Sequence, residues 1–214
     1  MTHASATPLP APRRRPLRLA ACAALLALLG ACAGPRPAAT LLTLPPTPPA
    51  AATPTMAPGP VVVVRRIALP EYLQSRRVRY RSGSSTLEEW PHVAWAERID
   101  VGASRHLVAG LRAALPGWVV CESDCPSGPD ERLLKVELAS FDYDRAARTV
   151  HGEARISIAA PAAPQRLLRT AVHREALAVG ADTPEGQAQA MAQLLQQVAR
   201  AAAAELEASR GTPR

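Results

Sequence analysis

The sequence predicts one α/β domain, a mixed β-sheet with helices packed on it, over residues 61–209 of the 214-residue chain. Apolar and polar residues alternate in three successive segments between residues 134 and 172, as half-buried antiparallel strands require. Two longer segments, residues 100–115 and 184–206, have apolar residues at helical spacing. About 150 residues can bury a core without disulfide or metal staples, so one sandwich-like domain accounts for them.

Residues 1–31, which precede this domain, are typical of an export signal that is removed by processing. Four arginines, the last of them Arg18, precede eleven apolar residues at positions 19–29. Eleven residues span about 16 Å as a helix, whereas crossing a membrane takes about 20 residues. The stretch leads into Leu29-Gly30-Ala31-Cys32, which resembles a bacterial lipobox. We therefore expect cleavage after Ala31 and lipidation of the Cys32 thiol; an ordinary signal peptide with a chance cysteine is the alternative.

The lipid would hold the protein at a membrane, because each buried methylene contributes about 0.8 kcal/mol and a mature lipoprotein carries three acyl chains. Residue 33 is alanine and not the aspartate that often retains lipoproteins at the inner membrane. By that sorting rule we expect the outer membrane, with the domain in the periplasm. The inner membrane is the alternative location.

Residues 32–60 are predicted to be the lipidated N-terminus and a tether. Positions 33–60 contain nine prolines and a single charged residue, Arg36, so this stretch cannot bury enough apolar surface to fold. A proline-rich chain extends by about 3.1 Å per residue and would hold a domain well away from the membrane. The apolar run at residues 40–44 interrupts it and fits either an edge strand of the domain or part of the linker.

The predicted domain begins with a valine-rich run at residue 61 that stops at Pro70, which is typical of a buried strand. Residues 100–115 form an amphipathic pattern that Pro116 and Gly117 terminate, and this pattern predicts a helix. Residues 118–121 predict a short strand.

The second half of the domain is predicted to be an antiparallel meander followed by a long helix. The three alternating segments follow one another without an intervening helical pattern, as a meander requires. Thr183, Pro184 and Glu185 supply an N-cap, a proline at the first helical position and an early acid. Residues 210–214 are expected to be a disordered tail.

The charge distribution argues against nucleic acid as a partner. The chain has 25 Lys+Arg and 18 Asp+Glu, a net charge of +7. Four of the arginines and none of the acids precede Cys32, which leaves 21 − 18 = +3 for the mature protein. Aromatic residues make up only 3% of the chain, whereas a nucleic-acid-binding domain combines a basic face with stacking aromatics.

Motifs for catalysis or metal binding are missing from the sequence. The five histidines have neither H-x-x-x-H nor H-E-x-x-H spacing, and no G-x-S-x-G or phosphate-binding glycine loop occurs. We therefore predict that the protein is not an enzyme and needs no metal or cofactor. A periplasmic hydrolase remains the alternative if the fold brings His92, Glu97 and a serine into one cleft.

Cys121 and Cys125 are a candidate disulfide in a turn-rich loop. Zinc would need two more ligands, and no second pair of suitable spacing supplies them. In an oxidising periplasm the two thiols are expected to pair, with free thiols as the alternative. Cys22 leaves with the signal.

A basic segment at residues 65–81 is the candidate partner surface. It contains six arginines and one acid, Glu71. A guanidinium binds carboxylate or phosphate through two parallel hydrogen bonds, so the segment fits either a docking surface for anionic lipid or an acidic partner, or a solvated basic face. The proposed partner-binding residues are Tyr72, Arg76, Arg77, Arg79 and Arg81. If this segment is a strand, Arg77, Arg79 and Arg81 share one face, and Arg76, Val78 and Tyr80 share the other.

Three ordered pieces of the sequence carry a family resemblance that covers residues 61–205. They are a strand followed by Leu69-Pro70-Glu71-Tyr72-Leu73, then the basic segment, then Trp95-Ala96-Glu97 before a helix with L-x-x-x-L spacing. Together with the lipobox, this pattern resembles the ABC-type transport auxiliary lipoproteins, the PqiC/YmbA-like family. The chain departs from the pattern at Arg98-Ile99, where many members have Pro-Leu, and in its longer proline-rich tether.

The resemblance implies a mixed sheet with packed helices, like the N-terminal domain of TolB-type proteins. It also implies a non-catalytic accessory role in intermembrane lipid transport that supports membrane integrity. The implied partner is an MCE-domain protein, part of a lipid-carrying periplasmic assembly that works with inner-membrane permease and ATPase subunits. The alternative to this transport role is that the protein is an assembly factor of the outer membrane.

Overall fold

The computed structural model describes residues 38–46, 59–126, 130–161 and 165–210. In these ranges the chain forms eight strands, two α-helices and one 3-10 helix. The strands are β1 (Thr40–Leu42), β2 (Val61–Val64), β3 (Arg77–Arg81), β4 (Leu87–Trp95), β5 (Val119–Cys121), β6 (Arg132–Asp144), β7 (Thr149–Ala160) and β8 (Arg166–Ala178). The helices are the 3-10 helix (Glu71–Leu73), α1 (Ile99–Ala114) and α2 (Pro184–Ser209).

All eight strands belong to one mixed sheet, which confirms the predicted fold class. β6, β7 and β8 form the predicted antiparallel meander. The other edge of β6 is shared, because β2 lies parallel to its first residues and β3 lies parallel to its last residue. The sheet continues from β2 to β5, and from β3 through β4 to β1.

The core lies between one face of the sheet and the two helices. Alternate residues of β6 and β7 are fully buried there, and the register places Leu134 opposite Ile158 and Val136 opposite Ile156. α2 packs so closely on this face that a Cβ added at Gly152 would lie 2.6 Å from a methyl carbon of Leu194. The opposite face, here called the outer face, carries charged side chains, including Lys135, Glu153 and Arg155, together with exposed apolar ones such as Leu41 and Leu167.

α2 begins as the sequence predicts. The Thr183 hydroxyl accepts a hydrogen bond from the Gly186 amide at 3.1 Å, and Pro184 occupies the first turn, where its missing N–H costs nothing. Met191, Leu194 and Leu195 then turn inward at helical spacing and are buried.

Of the two alternatives for residues 40–44, the structure shows the edge strand. β1 lies parallel to β4, with Thr40 opposite Val93. Leu42 and Leu44 are buried while Leu41 points outward, so the run alternates as a half-buried strand does. The sheet therefore includes a strand on the N-terminal side of the proline-rich residues 47–58, which lie outside the described residues.

β4 has no counterpart in the sequence-based prediction. Pro91 interrupts it, and proline within a run normally argues against a strand because it cannot donate to the ladder. The structure accommodates Pro91 at an irregularity: the pairing with β3 shifts register between Arg77 and Arg79, and His92 adopts a φ of 57°. A bulge of this kind tolerates proline inside a paired strand.

Candidate functional site

The centre of the predicted partner surface is a buried carboxylate on the outer face. The Tyr72 hydroxyl donates to both oxygens of Asp142 at 3.0 and 2.9 Å, and Arg81 Nη2 donates to the same carboxylate at 3.2 Å. Burial, followed by the hydrogen bond to Asp142, raises the pKa of Tyr72. These bonds fasten the 3-10 helix and β3 to β6.

Two further arginines of the segment also bind their own chain. Arg79 donates to the Tyr72 carbonyl at 2.7 Å and to Glu89 Oε1 at 3.1 and 3.2 Å. Arg76 donates to the backbone carbonyls of Trp95 and Ala96 at 3.0–3.2 Å. Arg79 therefore links β3 to the 3-10 helix and to β4, and Arg76 holds the end of β4 beside the start of β3.

Arg77 is the member of the predicted set that the structure leaves most available. Its side chain is 60% exposed, against 29% for Arg79 and 29% for Arg81, and its nearest carboxylate oxygen, on Glu89, is 3.8 Å away. Strand parity is confirmed for β3, since Val78 and Tyr80 are buried and the three arginines lie on the outer face. Arg76 precedes the strand and so falls outside that parity.

This division of roles predicts different effects on stability. Arg79→Ala removes a short hydrogen bond and an ion pair that is partly shielded from water, so we expect a loss of about 1–2 kcal/mol. Arg77→Ala, its matched control on the same strand face, is expected to change the free energy of unfolding by less than about 0.5 kcal/mol. Urea unfolding of both variants measures the difference. Equal losses would show that Arg79 contributes no more to the fold than Arg77.

A second polar cluster, which sequence reasoning missed, lies where the β6–β7 hairpin meets the start of α2. The Arg145 guanidinium stacks over the rings of Tyr80 and Trp90, with centroid distances of 4.8 and 4.4 Å. Arg145 also donates to Asp182 at 3.0 and 3.1 Å, and the Tyr143 hydroxyl donates to Asp182 at 2.9 Å. The partners are 37 to 65 residues apart in sequence, so no local pattern marks them.

The same cluster extends to the buried start of α2. Trp90 Nε1 donates to Gln187 Oε1 at 2.8 Å, and Gln187 Nε2 donates to the Arg79 carbonyl at 2.8 Å. β3, β4 and α2 are thereby connected through buried polar groups, which fix the helix on the part of the sheet that carries the arginines.

The Asp182 cluster predicts acid sensitivity. Hydrogen bonds from Tyr143 and then Arg145 lower the pKa of Asp182 below its usual value, while burial and Asp182 raise the pKa of Tyr143 to about 12. A carboxyl group with a lower pKa in the folded state binds more protons when unfolded, so its stabilisation is lost as the pH falls from about 5 through the folded pKa. We expect Asp182→Asn to be less stable than wild type at pH 7 and to lose less further stability by pH 3. Parallel denaturation curves at the two pH values would contradict this.

The remaining sequence-predicted site residues lie apart from these clusters. A disulfide joins Cys121, at the end of β5, to Cys125, with a Cα–Cα distance of 5.8 Å. His92 is exposed at the bulge of β4, whereas Glu97 is paired with Arg105 of α1. Cys32 lies outside the described residues. In the ranges that the structure covers, no group of three or more His, Cys, Asp or Glu side chains could hold a metal ion.

The disulfide gives a direct chemical prediction. The purified, unreduced protein lacking Cys22 and lipidated at Cys32 should show no thiol that reacts with a thiol reagent, because Cys121 and Cys125 are joined. Reduction should expose two thiols and cost about 2 kcal/mol or less, since the closed loop is short. Two reactive thiols before reduction would contradict the pairing.

The described part of the chain defines a two-layer α/β domain with helices on one sheet face and an outer face on which charged side chains lie beside exposed apolar ones such as Leu41 and Leu167. None of its helices is both long and apolar enough to cross a membrane. The chain belongs to the family of ABC-type transport auxiliary lipoprotein components, whose family model matches residues 42–203. This confirms the family resemblance that the sequence showed.

Among characterised proteins, the chain is similar to the intermembrane transport lipoprotein PqiC of Escherichia coli (strain K12) and of Shigella flexneri. Both are 31% identical to it over 83 residues, which is 38% of this chain and 43% of the relative. The match thus spans less than half the length of these relatives.

Two solved structures have the same fold. One, described as an uncharacterized protein, is 22% identical with a TM-score of 0.64 and covers 79% of this chain and 99% of its own. The other, protein XCC0632 from Xanthomonas campestris, is 16% identical with a TM-score of 0.59 and covers 80% and 94%. At these identities the likeness concerns the fold alone.

Proposed function

We propose that this protein is the lipid-anchored, non-catalytic accessory subunit of an intermembrane lipid transport system and that its partner is an MCE-domain protein. The observation that carries the proposal is the family match over residues 42–203, in a chain whose residues 29–32 resemble a lipobox. The name of the PqiC relatives, intermembrane transport lipoprotein, supports the same role. The lipid anchors the domain at the outer membrane, in the periplasm, where it supports membrane integrity.

Of the five partner-binding residues predicted in the basic segment, four bind their own chain and only Arg77 is left for a partner molecule. Arg76, Arg79, Arg81 and Tyr72 bind backbone carbonyls and carboxylates of their own chain, so they shape the surface. Arg77 presents its guanidinium outward from that shaped surface. A protein partner binds the part of the outer face formed by β7 and β8. There Arg155 and other exposed polar side chains offer hydrogen bonds.

Site-specific crosslinking in cells tests the proposal. A photoreactive amino acid is placed at Arg155 on the outer face of β7 and, as a matched control, at Gln193, which is exposed on the helix side of the domain. We expect an MCE-domain protein to be captured from position 155 and identified by mass spectrometry, with little capture from position 193. Capture of outer-membrane assembly proteins from these positions, without any MCE-domain protein, would favour the assembly-factor alternative and contradict the transport role.

A further inference from the structure

The β1 edge of the sheet is the part of the domain that the lipid can reach through the shortest chain. Cys32 precedes Thr40, the first residue of β1, by eight residues, and a fully extended chain of that length spans at most about 29 Å. Across the sheet, β8 lies five strand positions from β1, or about 24 Å at about 4.8 Å per strand. An anchor at Cys32 therefore keeps the β1 edge within about 29 Å of the membrane, whereas the β8 edge can lie about 24 Å farther away.

Two exposed side chains of contrasting chemistry lie in one row at this edge. Leu41 of β1 is opposite Ala94 of β4, and Ala94 is opposite Arg77 of β3. Directly paired residues point to the same sheet face about 5 Å apart, which places Leu41 and Arg77 about 10 Å apart on the outer face. Leu41 is 62% exposed, and the Arg77 side chain is 60% exposed.

The chemistry of this row matches a phospholipid surface. An exposed leucine gains free energy by entering the boundary between headgroups and acyl chains, and a guanidinium binds phosphate through parallel hydrogen bonds. Arg77 forms a long ion pair with Glu89, with 3.8 Å between Nε and Oε2, and its 60% exposed guanidinium can still donate hydrogen bonds to a phosphate.

We propose that the row Leu41-Ala94-Arg77 lies against the phosphate headgroups of the membrane in which the Cys32 lipid is anchored. The proposal rests on the proposed function in one respect, the lipidation of Cys32. With the β1 edge on the lipid surface, β8 and the adjacent outer face project into the periplasm, where a partner protein can reach them.

Depth-dependent quenching of the full-length, lipidated protein tests this orientation. The protein is reconstituted in phosphatidylglycerol vesicles that carry a quencher on the headgroup, with a fluorophore at Thr40→Cys or at Ala176→Cys on β8. Flotation with the vesicles first establishes anchoring, so a failure of lipidation is separate from a failure of orientation. We expect quenching at position 40 to exceed that at position 176 by about twofold or more, given their separation of about 24 Å. Equal quenching, or stronger quenching at position 176, in protein that floats would overturn the proposal.

A matched pair of double variants tests the row itself. Leu41→Ser with Arg77→Ser should lower the ratio of lipid-contacting to non-contacting molecules, read from the label at position 40, by about fivefold, because one arginine at an anionic surface is worth that factor. The control is Leu167→Ser with Arg174→Ser on β8, whose side chains are 61% and 72% exposed and so reach solvent at least about as freely, and it should leave the signal unchanged. The arginine contribution should shrink in phosphatidylcholine vesicles, which lack net charge. Unchanged quenching in the row variant, or quenching that requires an added protein, would refute the lipid contact.

Discussion

Replacement of Cys32 by serine is expected to abolish lipid attachment and to leave an unprocessed precursor. Only a thiol carries the diacylglyceryl group, and in this interpretation the peptidase cuts only the lipidated precursor. The Cys32→Ser protein should therefore keep its signal and incorporate no radioactive fatty acid. A protein that loses three acyl chains loses the binding free energy of many buried methylenes, each about 0.8 kcal/mol, which no surface contact of the domain can replace.

Cys22→Ser is the matched control for this experiment, because Cys22 lies inside the apolar stretch that is removed with the signal. That variant should be processed and labelled like wild type. Fatty-acid label that persists in Cys32→Ser would show that Cys32 is not the acceptor. Since position 32 precedes the first strand, the purified protein should unfold at the same denaturant concentration with cysteine or with serine at that position.

The second large effect is expected at Gly152, where β7 meets α2. An added Cβ would lie 2.6–2.7 Å from two methyl carbons of Leu194, a side chain without solvent exposure. Real Cβ atoms do not approach other atoms so closely, so α2 or Leu194 must move. We expect Gly152→Ala to lower the free energy of unfolding by about 2 kcal/mol, as overpacking in a dense core does. Urea denaturation followed by circular dichroism measures it.

Gly117→Ala is the control for this prediction, because a Cβ at Gly117 would meet nothing within 4 Å. We expect a change within about 0.5 kcal/mol there. A double-mutant cycle identifies the cause: Leu194→Ala costs about 2–5 kcal/mol in the wild type but should cost less in the Gly152→Ala background, where the added methyl group fills part of the space. Additive effects would mean that the two side chains do not compete for one volume.

The sequence predicted correctly those strands and helices whose conformation is encoded by residues that are close together in the chain. The meander follows from strict alternation, as at Ile156 and Ile158, because burial of one sheet face imposes a period of two on each strand. The start of α2 follows from Thr183 and Pro184, which satisfy or remove the first backbone donors of the helix. For Cys121 and Cys125 the sequence favours a disulfide over a zinc site, because zinc would need two more ligands and no second pair of suitable spacing supplies them.

Elements whose conformation depends on distant contacts were predicted poorly. Pro91 argues against a strand, yet β4 continues through a bulge at His92. β3 pairs with β4 both before and after this bulge, and β1 pairs with the residues after it. The run at residues 40–42 is too short to reveal its own pairing, and only β4 decides that it belongs to the sheet. Short strands have little intrinsic stability, so their partners determine them.

The sequence by itself predicted the fold class and the family, both of which are confirmed, and it showed a basic segment at residues 65–81. The lipid-anchor signal that ends at Cys32 stays a prediction. Only the tertiary structure decided how those arginines are used. It directs Arg76, Arg79 and Arg81 toward acceptors of their own chain, and one acceptor of Arg81, Asp142, lies 61 residues away. It leaves Arg77 exposed in one row with Leu41. The physical reason is that alternation along a strand reports which face a side chain occupies, whereas its hydrogen-bond partner on that face comes from whichever strand or loop the fold places there.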